Sequence, residues 1–360
     1  MPKPPLIMPD PMNWKNWSNS LLMAALLAAS PTLNANDSAK SDILPPELPF
    51  QVSDARRDFF ALYCAIRHDH GYRLPDDRPC DKALWTFTDP PESPRIPPPL
   101  TDPATPLRVI IVPGLFGECV NDYVNAFSDA LAHLRNHGYR TSVIEVSGRA
   151  SSAANAEHIR QALLDYPDGE RRIVIGYSKG LADSLEALVY PEARARIDAI
   201  VGIGGVVGGT PLADRVPNLL LKSLRWLTVP QCAPGDNGGV QSLRREVRQQ
   251  WLADHPLPDS IRFFSLAAFA DTNDISLLLR PSYQQLADFD SRNDSQVIFS
   301  DAVIPGSTLL GYARADHWAI ALPFGRRYPL LGKTLLNHNG FPREVLLEAV
   351  VRFVESALSD

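Results

Sequence analysis

From Leu107 to the C-terminus, short apolar runs alternate with stretches of helical spacing, and this alternation restricts the architecture more than any other feature. Leu107–Val112 is apolar apart from Arg108 and stops at Pro113-Gly114, the pattern of a buried strand. Residues 123–136 then carry apolar side chains at helical spacing, closed by Gly138. Strand patterns recur at 141–146, 172–175 and 197–203, with helical patterns at 153–164 and 181–188. Two more strands are expected at 261–268 and 308–312, and a final amphipathic helix at 343–358. Strands that alternate with helices run parallel through right-handed crossovers. The pattern therefore predicts an α/β fold, with a mostly parallel central sheet flanked by helices on both faces.

The front third has a different character. More than half of the chain's 33 prolines precede Arg108, and residues 90–106 are so rich in them that neither a helix interior nor a central strand fits there. That stretch reads as an extended linker. Before it, residues 54–66 have helical spacing (Phe59, Phe60, Leu62, Tyr63, Ile66), so residues 36–106 are expected to form a small helical subregion plus linker, ahead of a main domain at 107–360. Residues 1–35 resemble a secretory signal: Lys3 and Lys15 precede the apolar run 21–29, and small residues follow, with cuts conceivable after Ser30 or Ala35. A frayed N-terminal helix is the other reading. The apolar run is far shorter than the roughly 20 residues of a membrane-spanning helix. Export would let the four cysteines pair, and Cys64 and Cys80, which bracket a short polar loop, are the first pair expected. The net charge of −6 and the scattered arginines argue against a nucleic-acid partner.

One short motif carries chemistry. Gly176-Tyr177-Ser178-Lys179-Gly180 is a G-x-S-x-G that occurs by chance in roughly one chain in ten of this length, but here a strand pattern enters it and a helical pattern leaves it. Such a turn lifts a serine hydroxyl above the sheet at a helix N-terminus, which makes Ser178 the candidate nucleophile. The loop after the first strand, Val112-Pro113-Gly114-Leu115-Phe116-Gly117, offers backbone N–H groups, and an oxyanion hole is expected from Leu115 and Lys179. The Lys179 side chain would then point to solvent or attract an anionic substrate.

Of the histidines downstream of Ser178, His317 follows the last strand pattern, whereas His255 and His338 sit in polar loops; His317 is therefore the candidate base. Its acid partner is expected at Asp294, 23 residues earlier, with Asp271, 46 residues earlier, and Asp274 as rivals. His68 and His70 form an H-x-H with no third ligand nearby in sequence, and no metal or cofactor is expected.

The Pro-Gly-Leu-Phe-Gly loop, the Gly-Tyr-Ser-Lys-Gly turn, the run Gly208 to Asp214, and the segments at Asp294 and Asp316-His317 together resemble bacterial lipases and lipase-like serine esterases of the α/β-hydrolase superfamily. The resemblance starts at about Leu107. It implies a triad of Ser178, Asp294 and His317; in those lipases glycine commonly holds the place of Ser295. It departs at Tyr177 and Lys179, where those lipases carry histidine and often glutamine, and at Ala319, where they carry a calcium-binding aspartate. The insertion 212–260, dense in Leu219, Leu220, Leu221, Leu224, Trp226 and Leu227, would be a lid that touches lipid surfaces transiently, or a rigid helical cap. The implied activity is cleavage of a carboxylic ester, of a small molecule or a lipid. Acyl transfer, thioester or amide cleavage, and a non-catalytic binding protein are the competing readings.

Overall fold

The computed structural model describes residues 51–86, 96–100, 106–115, 117, 124–217, 235–336 and 339–359. Strand β2 (Leu107–Val112) shows why the sheet is central. Val109 and Ile111 pack into one hydrophobic cluster while Ile110 and Val112 pack into another on the opposite face. A strand apolar on both faces must be covered on both.

Six parallel pairings join β1 (Ser53–Asp54), β2, β3 (Arg140–Val143), β4 (Arg171–Tyr177), β5 (Ala199–Ile203), β6 (Arg262–Ala268) and β7 (Thr308–Ala313) in the order β1-β7-β6-β5-β4-β2-β3. One face carries α1 (Arg56–Asp69), α2 (Ser128–Asn136) and α7 (Arg343–Ala357), whose buried residues include Phe59, Leu134 and Val350. The other carries α3 (Ser152–Leu164) and α4 (Lys179–Glu186), through Ile159, Leu163, Leu181 and Leu185. The strand expected at 141–146 is the short edge strand β3, and its partly exposed Arg-Thr-Ser-Val pattern reflects a position with one neighbour.

The described residues before the proline-rich linker, 51–86, are built into the same body. Strand β1 pairs Ser53 with Thr308 on the outer edge of β7. Helix α1 buries Phe59, Leu62, Tyr63 and Ile66 against the main core. The Pro-rich linker is described only at 96–100 and 106, and residues 1–35 lie outside the described residues. So does 218–234, which includes all the leucines and the tryptophan of the apolar segment in the insertion 212–260. The described remainder of that insertion includes α5 (Arg245–Asp254), docked by Arg248, whose buried guanidinium donates to the Val207 carbonyl at 3.2 Å and to Glu186 of α4 at 3.3 Å.

Cys64 and Cys80 are joined as a disulfide that ties the middle of α1 to the one-turn helix Cys80–Ala83. The bridge closes a loop of 16 residues of sequence separation, for which chain entropy gives about 3 kcal/mol of stabilisation. The Cys64→Ser/Cys80→Ser protein is expected to lose that amount in denaturant unfolding. A midpoint unchanged from the parent would show that the bridge constrains nothing that unfolding releases.

Candidate active site

Ser178 stands between β4 and α4 with φ 55° and ψ −130°, a conformation L-residues rarely adopt. The flanking glycines make this possible. A Cβ on Gly176 would come within 2.7 Å of the Leu181 nitrogen, and one on Gly180 would overlap the Val112 carbonyl. Registry supplies the rest. Because β2 lies beside β4, with Val112 opposite Gly176, the loop leaving β2 passes directly over the serine. Gly114 is pressed so closely that a Cβ there would lie 2.6 Å from the Ser178 Cβ. Leu115 follows Gly114, and Lys179 is the first residue of α4, where backbone N–H groups have no intrahelical acceptor.

His317 comes from the loop after β7, and Asp294 from the loop between α6 (Arg280–Ala287) and β7. The imidazole bridges the two expected partners: Nε2 lies 2.9 Å from Ser178 Oγ, and Nδ1 lies 2.7 Å from Asp294 Oδ2. The other carboxylate oxygen, Oδ1, accepts the backbone N–H groups of Gln296 and Val297 at 2.9 and 2.8 Å. The His317 N–H donates to the Asp294 carbonyl at 2.8 Å, so the two residues are tied through backbone as well. Between them in this turn, Ser295 has φ 81°, which accounts for glycine at this place in the lipases that the sequence resembles.

Three supports of this chain of hydrogen bonds are harder to read from sequence. Asp316, next to the histidine, is buried and accepts from the Trp318 and Ala319 N–H groups with one oxygen and from Ser276 with the other. Burial pushes its carboxyl up, against these donors. Tyr177 stacks under the imidazole with ring centroids 5.0 Å apart, and its hydroxyl donates to the His317 carbonyl at 2.6 Å. Burial and the nearby Asp294 and Asp316 hold that hydroxyl protonated well above the usual tyrosine range. Tyr177→Phe keeps the stack and deletes one buried hydrogen bond of about 1–1.5 kcal/mol. It is expected to lower kcat up to about tenfold, with KM little changed. Wild-type kcat in this variant would leave the hydroxyl without a positioning role.

The third support is Lys179. Its side chain neither points to solvent nor offers itself to an anionic substrate. It is 1% exposed, and its ammonium sits 2.6 and 2.8 Å from the two carboxylate oxygens of Asp183, one helical turn on. Asn155 of α3 donates to the same carboxylate at 2.7 Å, so the pair pins the start of α4 to its neighbour.

The rival acids are elsewhere. Asp271 is partly exposed and paired with Arg314 at 3.1 Å, and Asp274 lies exposed in the same loop. His255 is bound to the Trp251 carbonyl, His68 is exposed, and His338 lies outside the described residues.

No protein-family model and no curated protein sequence matches the chain. Solved structures do. The metagenomic carboxyl esterase MGS0156 is 38% identical, with 87% of this chain and 97% of that one covered at a TM-score of 0.81. The mature form of Bacillus licheniformis lipase BlEst2 is 23% identical, covering 69% of this chain and 96% of its own, at a TM-score of 0.50, a likeness of fold alone. A parallel seven-stranded sheet flanked by helices, a serine on a strained turn after β4, and this identity over 87% of the chain lead to one assignment: the chain belongs to the α/β-hydrolase superfamily, among its hydrolases.

Proposed function

We propose that the protein is a serine esterase that cleaves carboxylic esters through an acyl-serine intermediate. The observation that carries this reading is the single imidazole held between Ser178 Oγ and the buried Asp294 carboxylate. In the first half-reaction Ser178 Oγ attacks the ester carbonyl carbon as its proton passes to His317 Nε2. Asp294 accepts the Nδ1–H and stabilises the imidazolium. The N–H groups of Leu115 and Lys179 take the oxyanion that develops on the carbonyl oxygen. His317 then protonates the departing alkoxide. Water then gives a proton to Nε2 and attacks the acyl carbon; the bond to Ser178 Oγ breaks, Oγ takes the proton back from Nε2, and the acid leaves.

The name of the esterase relative favours carboxylic esters over other acyl compounds. With Lys179 locked to Asp183, the residue after the nucleophile supplies no free charge, which suits a neutral ester, whether a small molecule or a lipid. The protein is also read as exported, a reading that the Cys64–Cys80 disulfide supports. Its mature N-terminus should then lie near Pro31 or Asn36.

The test is steady-state turnover of p-nitrophenyl esters of increasing chain length beside matched thioesters and amides. The expected result is release of free acid, with kcat/KM for the best ester above that for its thioester and amide. A folded protein that turns over no ester, or that hands the acyl group to an added alcohol in preference to water, would overturn the assignment.

A further inference from the structure

We propose that His70, His133 and Glu348 form a binding site for a divalent transition metal, zinc being the best match, on the face of the sheet that carries α1, α2 and α7. The three residues come from the C-terminal cap of α1, from α2, and from α7, and their ligand atoms all lie within 4.8 Å of one another. Nε2 of His70 is 2.8 Å, and Nε2 of His133 is 2.7 Å, from the same oxygen, Oε2 of Glu348. Two imidazole nitrogens and one carboxylate oxygen are the donor set of a three-ligand zinc site whose fourth position is left to water. His70, the most exposed of the three, leaves that position open to solvent.

Proton counting leaves two ways to satisfy the cluster, a protonated His70 or a metal ion, and titration with Zn²⁺ separates them. Both ring nitrogens of His70 face carboxylate oxygens: Nδ1 lies 3.1 Å from Asp69 Oδ2, and Nε2 lies 2.8 Å from Glu348 Oε2. A neutral imidazole has one N–H, so without a bound ion the two contacts are both made only by the imidazolium, which donates from both nitrogens. The same Oε2 also meets His133, so both imidazoles converge on one oxygen. A metal ion among the three atoms takes the place of that extra proton, because it accepts lone pairs from all three ligand atoms. His70 then keeps its Nδ1–H for Asp69, the carboxylate–histidine–metal arrangement that orients many ligating imidazoles. Arg352, one turn along α7, occupies the other oxygen, Oε1, at 3.2 Å, which leaves Oε2 for the metal. Bonds of 2.0–2.1 Å place tetrahedral ligands about 3.3 Å apart, so each N···O contact needs to open by about half an ångström, while the two imidazole nitrogens, within 4.8 Å of each other, need to draw in to that same spacing. A partly exposed histidine at a helix end can follow that movement.

Such an ion would staple α1, α2 and α7 together. None of its ligands belongs to the Ser178–His317–Asp294 chain, so loading should show in stability.

The test uses the untagged full chain, stripped with a chelator and desalted, then titrated with Zn²⁺ by calorimetry with thermal unfolding in parallel. The expected result is one Zn²⁺ per chain and a higher Tm with zinc, as binding to the native state alone requires. His133→Asn and Glu348→Gln should each weaken binding by about 100-fold or more, and Asp69→Asn by about tenfold. His68→Asn should leave binding unchanged. Retained ester turnover serves as the check that each variant is folded. If the parent binds no Zn²⁺, or binds it as tightly as the folded His70→Asn/His133→Asn protein, the cluster holds only protons and the proposal is wrong.

Discussion

Ser178→Ala is expected to fold like the parent and to lose about 10⁴-fold or more in kcat on any ester the parent hydrolyses. The substitution removes one oxygen and keeps the Cβ that Gly114 packs against, so the turn at φ 55° and the registry of β2 with β4 have no reason to shift. What disappears is the only atom that His317 Nε2 holds within hydrogen-bond distance in the described structure. The turnover that remains would reflect binding and oxyanion stabilisation alone. Steady-state kinetics beside thermal unfolding checks both halves. Parent-like turnover in a folded Ser178→Ala protein would remove the serine from the chemistry.

Asp294→Asn should cost about 10³ to 10⁴ in kcat while leaving KM near that of the parent, and Asp271→Asn should cost little. The reason lies in which oxygen does what. Oδ1 of Asp294 is already claimed by the N–H groups of Gln296 and Val297, which an amide oxygen would keep as acceptor. The amide nitrogen is thereby turned toward His317 Nδ1, where an acceptor had been. Nδ1 must then be unprotonated and Nε2 protonated, the tautomer that cannot take a proton from Ser178. Asp271 has no comparable task, since its carboxylate meets Arg314 at the surface. Kinetics of the two variants decide between the acids. The reverse ranking, with both folded, would move the acid to Asp271 and leave Ser178 and His317 in place.

What sequence conveyed and what it withheld follow from how local each signal was. The period-two burial of Val109/Ile111 against Ile110/Val112 is written in consecutive residues, and so is the strand–turn–helix setting of Ser178. Asp294 was reached by its interval to His317 and by the residues around it. Strand β1 carried no signal, because a two-residue Ser-Asp edge strand has neither length nor apolar alternation. The Lys179 side chain is buried against the expectation that it faces solvent or an anionic substrate. The i,i+4 relation to Asp183 was available on the helical pattern, but only burial shows that the pair faces inward. Tyr177 stacks on a ring 140 positions away, and the His70–Glu348 contact spans 278 positions, distances over which no single-sequence pattern reports. The H-x-H at 68 and 70 was therefore half a signal: one of its histidines is exposed, and the other finds its partners across the fold.

Reaction of the full chain with a fluorophosphonate, followed by peptide mass spectrometry, tests Ser178 as the nucleophile most directly. Ester turnover should fall in proportion to the phosphonyl group incorporated, with one adduct per chain located on Ser178, and Ser178→Ala should incorporate none. An adduct at a different residue that abolishes turnover, or full turnover by protein already labelled at Ser178, would contradict it.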